Sequence, residues 1–173
     1  MKKLDIFLIL VFFAYSHHSW GQATLPVTRT AWGSTPTGWT DNGTNRTTVF
    51  ACSGNDGGSM QASGKFYKVW FSGVPNQLTC KIKGSNPTTG TFKVQESTDG
   101  ISWTDVVVFS TISGSTCLSQ SNTLLSTSRY VQFIYTTKTS GNVDIDDVNI
   151  TATSLSEIQL QQPAGSDSAW IYL

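Results

Sequence analysis

The densest grouping of chemically able side chains is the acidic run Asp144, Asp146 and Asp147, set within Val143-Asp144-Ile145-Asp146-Asp147-Val148. Strict two-residue alternation cannot bury Ile145 together with Val148 and Ile150 on one face. A bulge near Asp146-Asp147 would add one residue and resolve the conflict. A bulged carboxylate pair at a sheet end carries ligands suited to calcium, a hard cation that collects about six to eight oxygens from carboxylates, carbonyls and water. The bland alternative is that these carboxylates cap turns or face solvent. The second grouping is aromatic: Trp32, Trp39, Tyr67, Trp70 and Trp103. Tyr67, Val69 and Phe71 alternate with Phe66, Lys68 and Trp70, so if the first set is core, Trp70 lies on the outer face beside Lys68. Sugar rings stack on exposed aromatic faces, which makes Trp70, Tyr67 and Trp39 the platform candidates. Core packing is the competing fate of each ring. Trp39 and Trp103 also follow turn residues and fit the edge of a folded layer.

Nucleophilic chemistry is poorly provided for. The histidines are His17 and His18, and both fall in an N-terminal leader. Met1-Lys2-Lys3 is a short basic start, residues 6–14 are an unbroken apolar run, and Gly21 and Ala23 end small-x-small sites. This pattern is a secretory signal, and the run is shorter than the roughly 20 residues of a membrane-crossing helix. With 1–23 removed, no His remains for Ser-His-Asp or Cys-His machinery or for His-rich zinc sites. A glycosidase needs two carboxylates roughly 5–10 Å apart across a cleft. The glutamates are Glu96 and Glu157, the latter in the tail, and the residues indicate a protein that is not an enzyme. Cys52, Cys80 and Cys117 are an odd set in an exported chain. Cys80 sits on the apolar side of a strand as a buried thiol, whereas Cys52 and Cys117 lie beside loops, where an oxidising compartment permits them to pair.

These groups must be held by strands. The 173 residues suit one medium domain plus a targeting segment. Charged residues are only 13% of the chain, about half the usual share of roughly 25%, and the aromatics supply core material that disordered chains lack. Losing Lys2, Lys3 and Asp5 from 11 basic and 11 acidic residues leaves nine and ten. No basic field exists to attract nucleic acid. Leu78, Cys80 and Ile82 alternate with polar residues, as do Phe92 and Val94, and the turn formers of 84–90 join them as a hairpin loop. Asp99-Gly100 marks another turn ahead of a strand over 103–109. Val131, Phe133 and Tyr135 form a further strand and 143–151 the last, with weaker signals at 25–30, 47–51 and 66–72. Strands at this spacing predict an all-β, antiparallel two-sheet sandwich.

Pro36-Thr37-Gly38-Trp39, Ser97-Thr98-Asp99-Gly100-Ile101-Ser102-Trp103-Thr104, Arg129-Tyr130-Val131-Gln132-Phe133 and Asp144-Ile145-Asp146-Asp147-Val148 occur in this order. Together they resemble the jelly-roll accessory modules of large secreted proteins from Bacteroidetes-type bacteria, similar in layout to MAM-like and galactose-binding-like β-sandwiches. The resemblance covers residues 24–153 and leaves 154–173 as a linker or the start of a further module. It implies a jelly roll and a structural calcium near the last strand, held by Asp146 and Asp147 with help from Asn55 or Asp56. The expectation is a secreted or cell-surface, monomeric, non-catalytic module that binds extracellular or cell-surface polysaccharide. A structural or adhesive spacer, and the N-terminal accessory fragment of a secreted hydrolase, are the alternatives.

Overall fold

The computed structural model describes residues 21–54, 56–114 and 116–154. The leader residues 1–20 and the tail 155–173 lie outside the described residues, as does Asn55. Two sheets pack face to face, and the described residues hold no helix. The first sheet contains β1 (Ala23–Thr24), β3 (Trp39–Asp41), β6 (Lys65–Ser72), β8 (Thr88–Ser97), β9 (Thr104–Ile112) and β11 (Tyr130–Ser140). Its order is β1-β6-β11-β8-β9, with β3 also paired to β6. The second contains β2 (Val27–Arg29), β4 (Asn45–Thr47), β5 (Gly57–Met60), β7 (Pro75–Gly84), β10 (Leu118–Thr123) and β12 (Val143–Ala152). Its order is β10-β7-β12-β5-β4, with β2 also paired to β12. All pairings are antiparallel except that of β1 with β6.

Alternation builds the core. Val69 and Phe71 of β6, Phe92 and Val94 of β8, and Phe133 and Tyr135 of β11 face Leu78 and Ile82 of β7 and Ile145 and Ile150 of β12, all buried. The bulge lies in β12: Asp146 pairs with Lys81 and Asn149 with Thr79, so three steps on β12 oppose two on β7. Asp147 takes φ 49°, a left-handed conformation that Asp tolerates better than most residues. The extra residue lets Ile145, Val148 and Ile150 all reach the core.

The strand expected over 103–109 runs Thr104–Ile112 and that over 25–30 is Val27–Arg29, and two further expectations differ more. The hairpin loop is only residues 85–87, because β7 continues through Gly84 and β8 begins at Thr88. A strand over 47–51 is absent: β4 ends at Thr47, and Val49 is 75% exposed. The backbone there finds other partners. Thr47 Oγ1 accepts from the Phe50 N–H, and the N–H groups of Cys52 and Ser53 both donate to Asp146 Oδ2, at 3.0 and 2.9 Å. A carboxylate replaces the ladder.

Candidate functional site

The outer face of the first sheet is laid out by register. Tyr130 on β11 stands opposite Trp70 on β6 and Ser97 on β8. One step along, Gln132 stands opposite Lys68 and Gln95, with Thr40 beyond Lys68 and Asp105 beyond Gln95. One step further, Ile134 stands opposite Phe66 and Lys93, with Val108 beyond Lys93. An aromatic row, a polar row and a mixed row thus cross the sheet about 7 Å apart, two residues of strand rise.

Trp70 is 37% exposed. The Tyr130 ring lies nearly parallel to it, at 7° and 6.0 Å between centroids, and Trp103 meets Tyr130 edge-on at 6.4 Å. Behind Tyr130 the chain turns tightly. Ser97 Oγ accepts from the N–H groups of Asp99 and Gly100, and Asp99 Oδ1 accepts from those of Ile101 and Ser102. The bonds from Ser102, Ile101 and the Ser97 hydroxyl hold the Asp99 carboxyl down to about 2. Gly100 has φ +74°, and a Cβ there would meet the Tyr130 ring at 3.1 Å. This turn explains the glycine and fixes the aromatic row at its open end.

The polar row is a directed chain of hydrogen bonds. Asp105 Oδ2 takes the Lys93 ammonium at 2.8 Å, and its Oδ1 accepts from Gln95 Nε2 at 2.6 Å. A carboxylate accepts only, so Gln95 must present its amide nitrogen to Asp105 and its oxygen to β11. Gln95 Oε1 then accepts from Gln132 Nε2 at 2.6 Å. Each amide is oriented by the next, and Gln132 itself is only 8% exposed. The bonds from Lys93 and Gln95 keep the Asp105 carboxyl below its ordinary range.

The sequence-derived candidates divide. Trp70 stands outward on this face. Tyr67 and Trp39 do not: they are 3% and 1% exposed, because Tyr67 shares the inward side of β6 with Val69 and Phe71, and Trp39 pairs with Val69 across β3. Neither offers a ring to a ligand. With Trp32 they instead enclose the Arg29 guanidinium, which lies 4.1, 4.7 and 5.3 Å from the Trp32, Trp39 and Tyr67 ring centroids. Burial lowers the Arg29 pKa to about 10, and its Nη2 donates to the Ser34 carbonyl at 3.1 Å. Arg29 was legible only as a cation on a short strand, and Tyr130, Gln132 and Gln95 needed the register to join Trp70.

The acidic candidates are each committed elsewhere. Asp146 accepts four N–H groups, from Cys52, Ser53, Trp32 Nε1 and Asp147. Asp147 pairs with the Lys81 ammonium at 2.8 Å and accepts from the Ser53 hydroxyl. Asp56 pairs with Arg46 at 2.7 Å. Among the described residues no three metal-ligating side chains gather at one point. The oxygens of Asp146, Asp147 and Asp56 on which the calcium expectation draws carry N–H, hydroxyl, ammonium and guanidinium partners in this arrangement. Cys52 and Cys117 are joined as a disulfide. Cys80 is a buried thiol whose pKa burial pushes up to about 12, which keeps it protonated and unreactive.

No family model and no curated protein matches the sequence. Solved structures do match in shape. The K1 cleaved adhesin domain of Lys-gingipain from Porphyromonas gingivalis W83 superposes with a TM-score of 0.61 at 14% identity, covering 75% of this chain and 99% of that one. The K3 adhesin domain of the same protein gives 0.62 at 15%, covering 74% and 98%. A variant of a family 29 carbohydrate-binding module gives 0.50 at 12%, covering 73% and 93%. The shared fold is a two-sheet β-sandwich. At these identities the likeness speaks for the fold and not for any residue of the site.

Proposed function

We propose that this chain is an exported, non-catalytic module that holds a polysaccharide on the outer face of its first sheet. The observation that carries this is Trp70, an exposed indole with the parallel Tyr130 ring beside it and a row of oriented carboxamides one step away. Pyranose rings present axial C–H groups that pack on such a face, and their hydroxyls pair with Gln and Asp side chains. Gln132, Gln95 and Asp105 are already fixed by one another, so little rotamer entropy remains to be lost on binding. The leader supports export, and the adhesin and carbohydrate-binding modules of the same fold support a binding role.

Affinity electrophoresis through gels containing soluble polysaccharides tests the reading, with urea unfolding run on the same variants. Trp70→Ala should lose retention while keeping its unfolding midpoint near that of the wild type, since an outward ring leaves no core cavity. Trp39→Ala should cost about 3–5 kcal/mol of stability. Undiminished retention of Trp70→Ala would place the ligand elsewhere. A wild-type chain retarded by no polysaccharide would favour a spacer role.

A further inference from the structure

Resting on that reading of the face, we infer that the polysaccharide it takes is anionic, bearing carboxylate or sulfate groups, and that Lys68 receives the charge. The rows carry three charged side chains. Lys93 and Asp105 neutralise one another at 2.8 Å. Lys68 forms no ion pair among the described residues; its ammonium lies 5.7 Å from the Phe66 ring centroid. At the rim, Arg129 donates to the carbonyls of Ser126 and Ser128, and Asp99 is turned into its own loop. Within the three rows Lys68 is the cation without a carboxylate among the described residues, although the whole chain has no net charge.

Its position is what makes it useful. Lys68 is two residues from Trp70 on the same side of β6, its Cα about 7 Å along the strand, and its ammonium extends towards Phe66, two residues further on. From there it reaches an acidic substituent on a sugar next to the stacked one. Opposite Lys68 stands Gln132, which is only 8% exposed and orients Gln95 through its amide nitrogen without itself meeting the sugar. A neutral glycan offers the ammonium only hydroxyl acceptors, whereas an anionic one offers it an opposite charge.

The test is retardation of the purified chain in gels containing polygalacturonate, its methyl-esterified form, dextran sulfate, or plain dextran. The wild type should be held more strongly by at least one of the two anionic polymers than by its uncharged counterpart, and added salt should weaken the effect. The two charged arms separate carboxylate from sulfate. Lys68→Met should bind the anionic polymer roughly five-fold more weakly, the scale of one exposed charge pair. Lys68→Arg should keep most of the binding. Lys83→Met on the other sheet changes the net charge equally and should have no effect. Equal retention by charged and uncharged polymers, or Lys68→Met and Lys83→Met behaving alike, overturns the inference and leaves the glycan-binding reading standing. Retention by none of the four polymers, nor by the wider panel, overturns both.

Discussion

Asp144 lies on β12 between Ser59 of β5 and Lys83 of β7, is 2% exposed, and has no hydrogen-bond partner on either carboxylate oxygen. Burial raises its pKa from 3.8 to about 6; Ser59, which makes no hydrogen bond of good geometry to it, and Lys83 pull it only part-way back. In the unfolded chain the group should titrate near 3.8, so between about 4 and 6 the folded chain binds the proton more tightly. Stability attributable to this group is therefore highest below pH 4, falls as pH rises through that window, and stays reduced above pH 6. Two pKa units correspond to about 3 kcal/mol. Asp144→Asn removes the charge and keeps the shape, so it should be more stable than the wild type by about 2–3 kcal/mol at pH 7.5 and nearly equal to it at pH 4. Urea unfolding at pH 4, 5, 6 and 7.5 reads this directly. Parallel pH profiles, or an Asn variant that is weaker at pH 7.5, would show that the carboxylate has a favourable partner and that desolvation is not its dominant environment.

Two other outcomes are expected. Reduction of Cys52–Cys117, which are 65 residues apart, should lower stability by about 4 kcal/mol on the loop-entropy account, with the wild type in reductant and a Cys52→Ser, Cys117→Ser double variant losing equal amounts in urea; a loss below 1 kcal/mol would mean that Asp146 already confines the segment. Signal removal should fall before Gln22 rather than before Thr24, because Ala23 pairs with Phe71 and the Gln22 side chain donates to the Phe71 carbonyl at 2.9 Å; intact-mass measurement of protein exported by its native host should give a chain starting at Gln22, and a start at Thr24 refutes the expectation.

The long strands were legible because burial on one face forces alternation. Leu78, Cys80 and Ile82 read as a half-buried strand, and a bulge is what resolves the conflict between Ile145 and Val148. Short strands carry no such pattern. β5 is Gly57-Gly58-Ser59-Met60, and its second glycine is dictated by Trp32 and Tyr67 rings that would meet a Cβ at 2.4–2.8 Å, contacts between residues far apart in sequence. The site divided along the same line. That Trp70 points outward follows from its own strand. That Tyr130 stacks beside it, and that Gln132 and Gln95 share one chain of hydrogen bonds, depends on pairing between β6, β11 and β8, which no local pattern encodes. Asp146 could have served calcium or backbone N–H groups equally well by its chemistry. The approach of the Cys52 and Ser53 N–H groups to it comes from long-range folding that its own strand does not encode.

The two outer faces of the sandwich are not equivalent. On the second sheet, β2 pairs with residues 148–150 of β12 and β5 with 143–145, leaving a gap at Asp146-Asp147. The segment 50–53 enters this gap, binds Asp146 and Asp147, and reaches β10 through the disulfide to Cys117. Lys83 lies 6.0 Å from the Phe50 ring centroid as the segment passes, and Lys81 is drawn onto Asp147. Asp146, Asp147 and Lys81 are thus consumed internally on that face, and a buried Asp144 is tolerated there at a cost in stability. Among the described residues no such strap crosses the first sheet. Its Trp70 ring is exposed, its carboxamides are ordered by their neighbours, and Lys68 pairs with no carboxylate of the described residues. A face that is preorganised yet keeps free valences is the one equipped to meet a ligand, and the strap explains why only one of the two faces has that character.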